Sequence, residues 1–156
     1  MPGSKNSTSN KFAASVLVLT IALSLQFNFK AFLGWSPEFV MAALVALIFY
    51  LDILEMAILA ALSVLIMNWK PLPGLEMMFF FIIPFLVMFG RNISPWESGF
   101  NNILGIILSV IIFYAVFGWS VFWGNIYFLG LITGMTTIFG AAIFHILSYF
   151  YKISPA

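Results

Sequence analysis

The sequence predicts an all-α, polytopic membrane protein: a helical bundle of about six transmembrane helices with both termini in the cytoplasm. Three observations lead there. Hydrophobic residues make up 63% of the 156 and charged residues only 7%, with a mean hydropathy of +1.13. A soluble domain carries about 25% charged residues, and 6 basic with 5 acidic side chains cannot cover a water-facing surface. The apolar sequence is divided by loops rich in Pro and Gly, and Trp35, Trp69, Trp96, Trp119 and Trp123 fall at or near the ends of its segments. Amphipathic rings gather at such membrane–water boundaries.

The polar opening MPGSKNSTSN, with Lys5 and Lys11 ahead of an apolar run, has the outline of a signal peptide. The run continues through 12–29, long enough to span, and no small-residue cleavage site follows. A retained first helix anchored by a flexible cytoplasmic tail, 1–11, is therefore expected. Lys30 and Gly34-Trp35-Ser36-Pro37 end and turn it. The next apolar run, 39–67, exceeds the ~20 residues that a ~30 Å hydrocarbon core requires. Asp52 and Glu55 sit near its middle. One continuous helix would carry both carboxylates through the bilayer centre at roughly 3 kcal/mol each. Two short helices, 37–50 and Ile53–Met67, place them at a turn instead, and this split is expected over the five-helix alternative.

Asn68-Trp69-Lys70-Pro71-Leu72-Pro73-Gly74 reads as a loop. A fourth helix follows over 76–89, with Glu76 suited to its positive end and Pro84 expected to kink it. A second loop, 90–99, contains Arg91, Asn92 and Glu97. A fifth helix is expected over 101–117, a wet turn over 118–125, and a sixth helix over 126–151. Residues 12–152 then form one transmembrane domain, and 153–156 a short tail. Six crossings with the N-terminus inside put Lys5, Lys11, Arg91 and Lys152 in the cytoplasm and Lys30 and Lys70 outside, as the positive-inside rule favours. No internal repeat supports an inverted-repeat transporter.

Polar residues are few, so each is a candidate. Asp52 and Glu55 share a helix face, and with Arg91 they form a candidate cytoplasmic polar cluster. A solvated turn is the plainer reading of the two acids, and topology anchoring explains Arg91 equally well. His145 is the one histidine, inside the last apolar segment. It is a candidate intramembrane polar site, with a packed, hydrogen-bonded histidine as the plainer reading. Gly130, Gly134, Thr137 and Ala141 place small residues along the last helix, and Gly130 with Gly134 has the spacing that lets helices approach closely. Internal packing is the ordinary use of that stripe, and a partner-binding face the functional one.

The balance leans away from an enzyme; one acting on lipid would need charged groups converging at one interface, for which Asp52, Glu55 and Arg91 are the one cluster in the sequence. There is no Ser-His-Asp set, phosphate-binding glycine loop or HExxH motif, and Cys is absent. One histidine and scattered carboxylates show no metal-ligand spacing, so neither metal nor cofactor is expected. A net charge of +1 offers a nucleic acid nothing to hold. The expected contacts are membrane lipid and another membrane protein.

The layout resembles the bacterial rod shape-determining membrane protein MreD family and, more distantly, the substrate-binding subunit of energy-coupling-factor vitamin transporters. Pro37-Glu38 opening a short helix, the turn near Asp52, a third helix, the loop 68–74 and a last helix ending in Phe150-Tyr151-Lys152 carry the resemblance to MreD. It spans nearly the whole chain and rests on layout. The stretch 62–68 departs from the family in ending on Asn68, where an Asp is usual, and the basic C-terminal tail is reduced to Lys152. The resemblance implies a non-enzymatic scaffold of the cell-wall elongation machinery in the cytoplasmic (inner) membrane. Its partner would be a bitopic protein such as an MreC-like protein. The second resemblance implies a membrane-embedded subunit that binds a vitamin-like solute.

Overall fold

The computed structural model describes residues 5–67, 74–91 and 96–151, and side chains within these from residue 10 onward, Arg91 excepted. It is all-α. Helices α1 (Lys5–Leu33), α2 (Phe39–Leu47), α3 (Ile53–Met67), α4 (Leu75–Arg91), α5 (Ser98–Val116), α6 (Trp119–Gly124) and α7 (Ile126–Tyr151) follow one another without a strand among the described residues.

The expectation of six transmembrane helices is corrected. Three helices among the described residues are long and apolar enough to cross a membrane: Asn10–Leu33, Ser98–Val116 and Ile126–Tyr151. The reason is length. At 1.5 Å per residue, the nine residues of α2 reach only about 14 Å, and α3 and α4 about 22 and 25 Å, against a ~30 Å core. The placement of both termini in the cytoplasm rested on six crossings and falls with that count. The chain keeps its membrane character, since these candidate spans are apolar and only 28% of each apolar stretch is buried inside the bundle.

Several boundaries differ from expectation for physical reasons. Helix α1 begins at Lys5, ahead of the apolar run, because the polar residues before Phe12 continue the same helix. It stops where Gly34 adopts φ 73° and donates its N–H to the Lys30 carbonyl at 3.0 Å, a left-handed helix end that glycine enters without a Cβ clash. The expected wet turn at 118–125 contains a short helix, α6, whose Trp119 and Trp123 are exposed and stack edge-on 5.6 Å apart. Pro84 lies inside α4. The loop 68–73 and residues 92–95 lie outside the described residues.

The chain does divide near Asp52. A turn over 48–50 separates α2 from α3, and the Glu55 carboxylate accepts the Asp52 N–H at 3.2 Å, half of a capping box. Asp52 is exposed. Asp52→Ala is therefore expected to change stability by less than about 0.5 kcal/mol. Chemical unfolding in detergent checks this, and a loss several times larger would mean that the acid is paired in the membrane.

The centre of the bundle is α2. Every residue from Pro37 to Ile48 is buried, surrounded by α1, α3, α4, α5 and α7. A helix hydrophobic on all sides belongs inside. Small side chains let its neighbours close in: Gly140 of α7 lies against Ala42 and Ile106, and Gly105 of α5 against Val45 and Val87. Aromatic edges fill the remaining space, among them Phe39 with Phe29 and Phe139, and Phe80 with Phe113. At the other end of α2, Tyr50 donates to the Phe144 carbonyl at 2.8 Å.

Candidate functional site

Two features stand out of this apolar bundle. The first is a polar junction at the start of α2. A helix leaves its first N–H groups without internal partners, and inside an apolar bundle water does not supply them. Glu38 occupies the N-cap position but makes no capping bond with its own side chain. Other helices do the capping. The Glu38 N–H donates to Thr136 Oγ1 of α7 at 3.0 Å, and the Val40 N–H donates to Gln26 Oε1 of α1 at 2.9 Å.

The Glu38 side chain then reaches into the junction it helps to form. Its Oε2 accepts from Gln26 Nε2 and its Oε1 from the Tyr114 hydroxyl of α5, both at 3.1 Å. Gln26 thus uses both ends of its amide, one on the backbone of α2 and one on the carboxylate. Glu38 is only 7% exposed. It lies on the α1–α2 connection, outside the three candidate spans, and burial pushes its carboxyl up from 4.5 to about 7. The hydrogen bonds from Tyr114 and Gln26 and the charge of Lys30 act in the opposite direction and are outweighed. Trp35 closes this end of α2 by packing edge-on against Phe128 at 5.0 Å.

The second feature is an open apolar groove of about 650 Å³ between α5, α6 and α7, lined by Ile107, Phe122, Gly130, Thr133, Gly134 and Thr137 among others. Gly130 and Gly134 are exposed, and a Cβ on either would meet nothing within 4 Å. Thr133 returns its hydroxyl to the Leu129 carbonyl at 2.8 Å, whereas the Thr137 hydroxyl oxygen is covered and has no partner. A smaller cleft of about 290 Å³ lies between α4 and α5. On α5 the fully buried amide of Asn102 is also without a partner.

The residues singled out from sequence are distributed as follows. Gly130, Gly134 and Thr137 share the groove, while Ala141 is half-buried and outside its lining. The small-residue helix therefore has two working faces, because Thr136 and Gly140 point inward to α2. Asp52 and Glu55 come together at the α2–α3 turn, while the Arg91 side chain lies outside the described residues. His145 is exposed, and its carbonyl accepts from the Ser148 hydroxyl at 2.8 Å. No group of three or more metal-binding side chains occurs among the described residues.

Sequence reasoning missed the Glu38 junction. A signal was available: Gln26 interrupts an apolar span, and Glu38 opens the most uniformly apolar segment in the chain. Buried polar side chains are costly and persist where they are hydrogen-bonded. The geometry defines a class, an all-α membrane bundle wrapped around a short buried helix with an outward groove of small residues. No protein-family model, curated protein or solved structure matches the chain.

Proposed function

We propose that the chain is a non-enzymatic, multi-pass scaffold of the cytoplasmic membrane that seats the membrane-crossing helix of a bitopic partner in the α5–α6–α7 groove. This is the role its resemblance to MreD implies, organising the cell-wall elongation machinery through an MreC-like protein. The observation that carries the reading is the groove. Lipid is as apolar as a leucine side chain, so helices associate in a bilayer through close packing and hydrogen bonds, which small residues permit. Gly130 and Gly134 leave their Cβ positions open on the outer face of α7, so an incoming helix can come close to the α7 backbone along the groove.

The alternative, a solute-binding subunit of an energy-coupling-factor type transporter, draws on the polar junction at Glu38. There both carboxylate oxygens and both ends of the Gln26 amide are already bonded within the chain. That favours a structural use of these groups over solute recognition.

The test is a pull-down from native membranes in mild detergent, with mass spectrometry of co-purifying proteins and retained small molecules. A bitopic wall-elongation protein in stoichiometric amount is the expected result. Gly134→Leu should lose that partner while its own stability stays within about 0.5 kcal/mol of the parent, since the added side chain enters open space. An ATP-driven transporter module with a retained vitamin-like solute would replace the scaffold reading with the transport one.

A further inference from the structure

We propose that Glu38 is a proton-binding site, and that the proton it takes up removes a buried charge where α2 meets α1, α5 and α7. Tyr114 from α5 and Gln26 from α1 are neutral and hold the carboxylate at 3.1 Å each; Thr136 from α7 bonds the Glu38 backbone, and α2 carries no charged residue. Lys30 on α1 acts on Glu38 through its charge, and its side chain is exposed. Neutral donors with a solvent-exposed cation compensate a buried negative charge poorly, and such a group takes a proton to shed it.

The junction accommodates both states with the same heavy atoms. When Glu38 is ionised, the Tyr114 hydroxyl donates to Oε1 and Gln26 Nε2 donates to Oε2. When Glu38 is protonated on Oε1, that O–H donates to the Tyr114 oxygen, the tyrosine proton turns away, and the Gln26 bond is unchanged. One proton enters or leaves and no bond between helices is lost. What changes is the charge beside the buried helix.

The sign follows from linkage. Folding raises the Glu38 value from 4.5 to about 7, so its contribution to stability is fully present below 4.5. That contribution declines as the pH rises through 7. The protonated bundle is the more stable one.

The other four acids offer a clean experiment, because Asp52, Glu76 and Glu97 are exposed, Glu55 is half-exposed, and only Glu38 is buried. The full chain with D52N, E55Q, E76Q and E97Q keeps Glu38 as its one acidic side chain. Infrared titration of this variant in detergent micelles should show a carboxylic-acid carbonyl band at pH 6 that disappears above pH 8. Adding E38Q should remove the band and flatten the dependence of the melting temperature on pH, since the amide can donate to Tyr114 and accept from Gln26.

Absence of the band at pH 6 would overturn the proposal, as would a band unchanged to pH 9. An E38Q chain that keeps the parent's pH-dependent melting would do the same. If E38Q does not fold, the titration of the single-acid chain decides alone. All of these measurements use the isolated protein, so their outcome is separate from that of partner docking.

Discussion

Gly140→Leu is expected to destabilise the bundle by about 3 kcal/mol, the upper end of what overpacking a filled core costs. Gly140 sits where α7 crosses α2 and α5. A Cβ there would meet the Ile106 side chain directly, with Ala42 Cβ at 3.2 Å and the Ala42 carbonyl oxygen at 3.4 Å. Ile106 and Ala42 are themselves fully buried, so neither has room to withdraw, and α7 must move away from the central helix. The close approach that glycine permits is then lost along with the van der Waals contact that holds membrane helices together. Reversible chemical unfolding in mixed micelles measures the effect. Gly134→Leu, six residues earlier on the same helix and on its open face, supplies the control. Equal losses from the two substitutions would mean that both faces are packed.

Gln26→Leu is expected to cost about 2–3 kcal/mol, the penalty for leaving buried polar groups without partners. The leucine matches the glutamine in size but removes two bonds at once. The Val40 N–H loses its acceptor and Glu38 Oε2 loses its donor, at a buried helix end. Val40 and Glu38 both lie in the buried stretch. Gln26→Glu distinguishes polar satisfaction from packing: it can still accept from Val40 but brings a second carboxyl against Glu38. Its destabilisation should grow as the pH is raised and both groups lose their protons. A Gln26→Leu chain as stable as the parent would show that α2 is held by apolar contacts alone.

Much of the architecture was legible because it depends on local properties. The helix break near Asp52 follows from two acids three residues apart, which interrupt a long apolar run, and the structure places a capped turn there. The last helix spans 126–151 as its uninterrupted apolar sequence requires. The number of crossings was misjudged because an apolar segment of nine residues reads alike whether it is a short crossing or a helix sealed within a bundle. The small residues of α7 were found without their division of labour. Gly130, Gly134 and Thr137 line the groove, and Thr136 and Gly140 face the core.

The Glu38 junction was illegible for a different reason. Its members, Gln26, Glu38, Tyr114 and Thr136, lie on four separate parts of the chain, the outermost 110 residues apart (136 − 26). No spacing rule links them.

The amino-acid sequence by itself determined that this is a helical membrane protein, where most of its longer helices lie, and that its few polar groups have to be placed with care. Hydropathy and turn chemistry are local, and they act before any two helices meet. Only the tertiary structure decided which apolar helix is sealed inside, which face of α7 meets it, and which carboxyl lies at its start. In a soluble protein the buried face of a helix is marked by contrast with its water-facing side. Here lipid and core are equally apolar, so inward and outward faces read the same until packing and hydrogen bonding separate them.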